Sequence, residues 1–204
     1  EVRPMLAEER GRVRALLDKE HYLEAGRDVG KTLVQIVHHK GRWAALVTWG
    51  PAAMKLNDRE QFIGWSDVQR AQRLGLVVQN RRMLVLSDTR MPNLASRALG
   101  LACRALPQQW EQKHGYKPVL AETFTDIEQF EGTCVKAAGW EPCGMSKGFG
   151  REHRADFLQE HHRPKKLWLK SLSRNMRAIL CGVDVPVNYR AGGNAATPER
   201  ALPL

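Results

Sequence analysis

Cysteine is scarce in this chain. Its 204 residues hold four, Cys103, Cys134, Cys143 and Cys181. No two stand at a Cys-x-x-Cys spacing, which excludes a zinc ribbon and reads as buried thiols of a reducing compartment. Long apolar runs are missing too. Nothing approaches the ~20 residues of a membrane span. The opening Glu1-Val2-Arg3-Pro4 has no signal-peptide core, so the expected location is cytoplasmic, with no membrane partner. The first residue is Glu rather than Met, as in a trimmed or partial chain. Gly30-Lys31-Thr32 echoes a phosphate-binding loop, but the required earlier glycine is Ala25 and a strand is expected next, so that loop is excluded. The His-hydrophobic-His pattern of single-strand nucleases is absent. His38-His39 and His161-His162 are adjacent pairs, and neighbours on an extended chain point to opposite faces.

Acidic residues are also in short supply: 22 against 32 Lys and Arg, for a formal net charge of +10. A polyanion is then the first partner to consider, DNA before RNA. The alternative is an enzyme that happens to be basic. With 43% hydrophobic residues the chain can build one core plus an extension.

The pattern predicts an α/β protein. A helix is expected over Met5–Lys19, with Leu6, Val13, Leu16 and Leu17 on one stripe. Thr32–Val37 and Trp43–Trp49 read as a hairpin across a short Gly-containing turn. Met54–Phe62 is ambiguous. Ser66 is a good N-cap for a helix through Arg73. Leu76–Gln79 and Arg82–Leu86 are two short apolar runs. Leu94–His114 reads as a long central helix between Asn93 and Gly115, which Pro107 should kink or split. Val119–Phe124 is a strand, Ile127–Ala138 holds a short helix, and Pro142–Lys147 is a final strand. Leu169–Leu180 reads as a basic helix. The expected division is an α/β domain over residues 1–151, a basic C-terminal extension over 152–190, and a Gly/Ala/Pro-rich linker or tail over 191–204.

This order of elements resembles the GNAT-like acyltransferase fold, a mixed sheet with a long central helix. In that fold the helix starts at a turn of the form Arg/Gln-x-x-Gly-x-Gly/Ala, whose backbone N–H groups hold the pyrophosphate of coenzyme A. Here the turn is Arg90-Met91-Pro92-Asn93-Leu94-Ala95. Asn93 replaces the middle Gly and Pro92 removes a donor, which argues against acetyl-CoA. A longer resemblance runs from residue 20 to 175. It is carried by His21-Tyr22-Leu23, Phe62-Ile63-Gly64-Trp65, Asn80-Arg81-Arg82, Pro92-Asn93-Leu94-Ala95-Ser96, Glu122-Thr123-Phe124-Thr125-Asp126, Gly132-Thr133 and Gly144-Met145-Ser146-Lys147-Gly148, with Pro164 to Lys170 as a basic closing stretch. Together these resemble the DruA family, with Ser146 where a Thr is expected. The resemblance implies a role in anti-phage defence or in a transposase-related mobile element.

Candidate sites follow. Glu122 and Asp126, with Asp88 at the end of the neighbouring strand, could hold a divalent metal such as Mg or Mn for phosphodiester chemistry. The plainer reading pairs Glu122 with a buried Arg and makes Asp126 a cap. His21 and Tyr22 are candidates for general base and nucleophile, or for ordinary packing. Arg59, Trp65, Arg73, Asn80, Arg81 and Arg82 would make a phosphate-binding and stacking face, or a solvated basic face with Trp65 in the core. Arg151, Lys165, Lys166, Trp168, Lys170, Arg174 and Arg177 would extend that footprint. The sequence thus points to a DNA-binding protein with metal-assisted cleavage or strand transfer. Two alternatives remain: an acetyl-CoA-dependent N-acyltransferase, and a docking module for a helicase or transposase.

Overall fold

A computed structural model describes residues 1–26, 29–146, 149–151, 158–160, 164–184 and 189, with the side chains of 149–151 and 158–160 outside the description. The chain opens with strand β1 (Val2–Pro4), not with the expected helix; a single 3-10 turn (Ala7–Glu9) then leads into α1 (Arg10–Glu20). Arg3 donates to Glu9 at 2.8 Å and fixes that entry. β2 (Leu33–His39) and β3 (Arg42–Pro51) form the hairpin. Its turn residues Lys40 and Gly41 both have positive φ, 50° and 77°, the twist that suits two antiparallel strands.

Two short helices follow, α2 (Asn57–Ile63) and α3 (Asp67–Arg73). Ser66 caps α3 as expected: its hydroxyl accepts from the Gln69 N–H at 3.2 Å, and the Gln69 side chain accepts from the Ser66 N–H at 2.8 Å. The two apolar runs beyond are one strand, β4 (Val77–Val85). Its continuity was hidden by the polar Asn80-Arg81-Arg82. There Arg81 bulges out of the ladder, since Thr48 faces Arg82 while the next residue, Trp49, faces Asn80. Asn80 Nδ2 donates to the Thr48 and Arg82 carbonyls, each at 3.1 Å, and locks the bulge.

α4 (Leu94–His114) is one helix with Pro107 inside it. Buried Ala98, Leu99, Ala102, Leu106 and Trp110 form its inner stripe. Beside Pro107, buried Gln35 donates to the Ala102 carbonyl at 3.2 Å and accepts from Trp49 Nε1 at 2.7 Å. β5 (Leu120–Asp126) returns parallel to β4. After it come α5 (Thr133–Ala137) and β6 (Glu141–Met145), then a separate ladder of β7 (Phe149–Arg151) with β8 (Leu158–Glu160). The chain continues with β9 (Lys165–Ser171) and α6 (Met176–Cys181).

The seven-stranded sheet has the order β1-β2-β3-β4-β5-β9-β6. β9, drawn from the extension assigned to residues 152–190, runs antiparallel between β5 and β6. The expected basic helix is therefore a strand through Ser171 and a helix only from Met176. Leu167, Trp168 and Leu169 are all buried, the unbroken apolar run of a strand covered on both faces. Alternate residues feed two cores. Ile36 and Leu84 join Val13 and Leu17 of α1, whereas Val37, Met83 and Val85 join the core that includes α4. No helix among the described residues is long and apolar enough to cross a membrane.

Candidate active-site cleft

β4 and β5 are paired from Val77–Leu120 to Asn80–Thr123, and no further. Thr123 Oγ1 donates to the Asn80 carbonyl at 3.2 Å and closes the last rung. Beyond it the two strands continue without pairing, and the gap opens into a cleft of about 900 Å³. Ala95 and Leu99 of α4 line it, together with Ala53 and Leu56, His21 and Tyr22 just after α1, and Phe130 and Gly132. The bulge at Arg81 lies on the cleft as well.

The start of α4 explains the unusual turn. Asn93 is left-handed, φ 57° and ψ 23°, a conformation that glycine adopts freely and asparagine tolerates. Asn93 thus supplies the backbone shape for which the sequence pattern uses Gly. Pro92 lies ahead of the helix, so its missing N–H costs the first turn nothing. Leu94 N–H donates to the Met91 carbonyl at 3.3 Å and Arg97 N–H to the Asn93 carbonyl at 3.0 Å. The N–H groups of Ala95 and Ser96 have no intrahelical carbonyl to meet, the usual basis of an anion site.

The His21 ring is fixed by its own loop. Nδ1 accepts from the Leu23 N–H at 3.1 Å. Burial, aided by the charge of Arg82, lowers its pKa to about 4, so the ring is neutral with its proton on Nε2. Tyr22 stacks on it at 4.9 Å and packs on the Phe130 ring at 5.5 Å. Burial, then the charge of Asp126, pushes the Tyr22 phenol above its ordinary pKa and keeps it protonated. Arg82 holds this loop, donating to the Glu24 carbonyl at 2.7 Å and the Leu23 carbonyl at 3.1 Å.

The three expected metal ligands do not converge. Glu122 is fully buried; it accepts from Arg59 at 2.8 Å and from the Ala53 N–H at 2.7 Å. Asp126 caps the following turn, accepting from the Glu128 N–H at 3.1 Å. Asp88 is exposed and pairs with Arg42 at 3.0 Å. Among the described residues no group of three His, Cys, Asp or Glu could hold a metal. The Mg or Mn expectation is corrected accordingly: the acids satisfy protein donors instead.

The expected nucleic-acid residues scatter. Arg59 is fully buried, and buried Arg73 donates to the Leu180 and Val183 carbonyls at 2.9 and 3.2 Å. Trp65 is buried and donates to Glu60. Asn80 and Arg82 serve the backbone as described, and Arg81 packs its side chain over Gly50. Trp168 is buried, with Lys166 over its ring at 4.6 Å. Lys170 donates to the Ala138 and Gly139 carbonyls, each at 3.0 Å. Arg177 donates to the Phe62 carbonyl at 2.8 Å and stacks on its ring. Lys165 lines the cleft, and Arg174 is exposed. The Arg151 side chain lies outside the described residues.

The sequence reading missed the cleft's walls, Ala53, Leu56 and Phe130. None stands in a pattern of its own; the only signal was the parallel β4–α4–β5 order, which puts a switch in the sheet beside a helix start.

The fold is that of the GNAT acetyltransferases. An aminoglycoside acetyltransferase, AAC(6')-Ib, in complex with coenzyme A and kanamycin superposes with a TM-score of 0.53 at 13% identity, covering 86% of this chain and 95% of that one. The ribosomal-protein-alanine N-acetyltransferase from Brucella melitensis does so with a TM-score of 0.51 at 10% identity, covering 84% and 99%. The ribosomal-protein-S18-alanine N-acetyltransferase from Escherichia coli gives 0.51 at 7%, covering 85% and 94%. Within that fold, the chain belongs to the DruA family: the model of Druantia protein DruA matches residues 4–171. No curated protein matches it in sequence.

These findings overturn two expectations. The DNA-binding reading with phosphodiester chemistry is corrected: the chain shares its fold with N-acetyltransferases over most of its length. The argument against acetyl-CoA gives way too. One neighbour of this fold, AAC(6')-Ib, carries coenzyme A or acetyl-CoA in three structures, and Asn93 here is left-handed, a conformation open to Gly.

Proposed function

We propose that this DruA-family protein is an acyltransferase that takes its acyl group from a coenzyme A thioester and passes it to a primary amine. The observation that carries the reading is the cleft, which runs from the first turn of α4 to the last rung between β4 and β5. The N–H groups of Ala95 and Ser96 would receive the pyrophosphate. From Asn80 to Val85 a strand rises about 17 Å at ~3.3 Å per residue, room for an extended pantetheine arm.

When bound, the thioester supplies an activated acyl carbon. The side chains at the cleft then have distinct roles. Tyr22, protonated at neutral pH, gives its proton to sulfur as the carbon–sulfur bond breaks, and it regains the proton that the attacking amine loses. His21, with Nδ1 engaged, offers an Nε2–H as donor to an oxygen of the reacting group. His21 is thus a hydrogen-bond donor here, and not the base that its sequence position suggested.

Isothermal titration with coenzyme A and acetyl-CoA tests the reading. Saturable binding that weakens in Asn93→Val, and survives in Asn93→Gly, is the expected result. No heat and no thermal stabilisation by either compound would overturn it.

A further inference from the structure

A second cavity, of about 310 Å³, is lined by α1, by the loop after it, and by β2, β3 and β4. Sites for small molecules start near this size, at about 300 Å³. α1 contributes Arg10, Val13, Arg14 and Leu17. Their spacing, i, i+3, i+4 and i+7, puts all four on one helix face. Val13 and Leu17 are buried, and Arg10 and Arg14 are exposed. The backbone around the cavity is tethered. Met5 donates its N–H to the Val34 carbonyl at 2.8 Å, and Ala25 donates its N–H to Asp18 Oδ1 at 3.0 Å. Met5, Val34 and Ala25 all line the cavity.

A third guanidinium comes from the β4 bulge. Trp49 faces Asn80 and Thr48 faces Arg82, so Arg81 is the extra residue between them. An extra residue breaks the alternation of a strand and re-aims a side chain. The Arg81 stem passes over Gly50 of β3, where a Cβ would lie 2.6 Å from its Cδ. Glycine at that position leaves the stem its path. Arg82 holds the Leu23 and Glu24 carbonyls, while Arg81 lines the cavity. The described residues that line it therefore include three arginines and no Asp or Glu. Arg14 meets Asp18 at 3.7 Å in an exposed pair, and such pairs contribute little, so Arg14 is available to a ligand.

We infer that this cavity is a binding site for a small amphipathic carboxylate. The apolar body would lie against Met5, Val13, Leu17 and Val34. The carboxylate would be taken by the guanidinium groups of Arg10, Arg14 and Arg81, whose planar forks match it. An amine on the same body would meet three like charges. A bare inorganic anion would leave the apolar lining uncovered and forgo that burial. The inference does not depend on the coenzyme A reading.

The test is titration calorimetry of the full chain with octanoate, octylamine and inorganic phosphate. The variants are Arg10→Gln combined with Arg14→Gln, and Ala25→Phe, which fills the cavity and keeps the Ala25 N–H. Both arginines are exposed, so the double variant should keep the wild-type thermal midpoint. The wild type is expected to bind octanoate saturably, and octylamine and phosphate far more weakly. The double variant should bind octanoate about tenfold more weakly, the scale of a lost charge-assisted hydrogen bond. Ala25→Phe should abolish binding. No saturable binding of octanoate, or octylamine or phosphate bound as tightly, overturns the inference. So does octanoate binding that is unweakened in either variant, which would place the ligand elsewhere, the main cleft included.

Discussion

Two residues that the sequence marked as chemically active turn out to differ in kind. Glu122 looked like a metal ligand, and the structure gives it Arg59 and the Ala53 N–H instead. Glu122→Ala would take one of two carboxylates from the buried Arg59, which keeps Glu60, so the loss should fall below the about 3–5 kcal/mol of a fully stranded buried charge. Chemical denaturation should show that loss, with a smaller one for Glu122→Gln, which keeps an acceptor for Arg59. His21 is the opposite case, a residue whose environment changes its titration. Its folded pKa is about 4, below the ordinary value near 6.5. Above pH 6.5 the ring is neutral in both states and its contribution to stability is complete. As pH falls from 6.5 toward 4, the unfolded chain takes up a proton that the folded chain refuses, and stability is lost. Unfolding midpoints at pH 7.5 and 5 should therefore lie closer together in His21→Gln than in the wild type. An unchanged gap would mean that the ring titrates normally.

At the scale of elements, the decisive features are two junctions where backbone shape outranks side-chain type. One is the start of α4, where left-handed Asn93 gives the turn a shape that the sequence pattern assigns to Gly. The other is the entry to α5. Gly132 has φ 78°, and a Cβ placed there would overlap the Trp168 ring. Trp168 is itself pinned, donating from Nε1 to Thr125 Oγ1 at 2.8 Å. Gly132→Ala should cost about 1–3 kcal/mol, as overpacking at a fixed neighbour does, measured by denaturant unfolding; a neutral result would mean that α5 can slide off β9. The hairpin, α3 and its Ser66 cap were legible in the sequence because their signals are local. β4 was read as two runs because its centre is polar. A bulge held by Asn80 has no local signature, since it depends on Thr48 from another strand.

For the molecule as a whole, the order of the strands matters most. The sequence set residues 152–190 apart as a basic extension, and a docking role for such a tail predicts that its removal leaves the fold intact. β9 instead lies between β5 and β6. Removal of residues 152–204 should expose both strand edges and the core behind Leu167, Trp168 and Leu169, and abolish cooperative unfolding in circular dichroism. A truncated chain that melts cooperatively would refute this. Ligand linkage operates at the same scale. Coenzyme A at 100 times its dissociation constant should add about 2.7 kcal/mol to stability, visible as a raised thermal midpoint.

The sequence by itself determined the α/β class, the long helix after β4, the hairpin and the family, because apolar periodicity, caps and short motifs are written in neighbouring residues. Only the tertiary structure decided where the charges go. Arg59 and Glu122 are 63 residues apart and meet in the interior; Arg73 reaches across 107 residues to the Leu180 carbonyl. Basic residues that read as a surface for a polyanion are in part internal struts. The cleft also belongs to the tertiary structure alone, since it exists where two strands distant in sequence stop pairing, and no residue on either strand records that its partner has turned away.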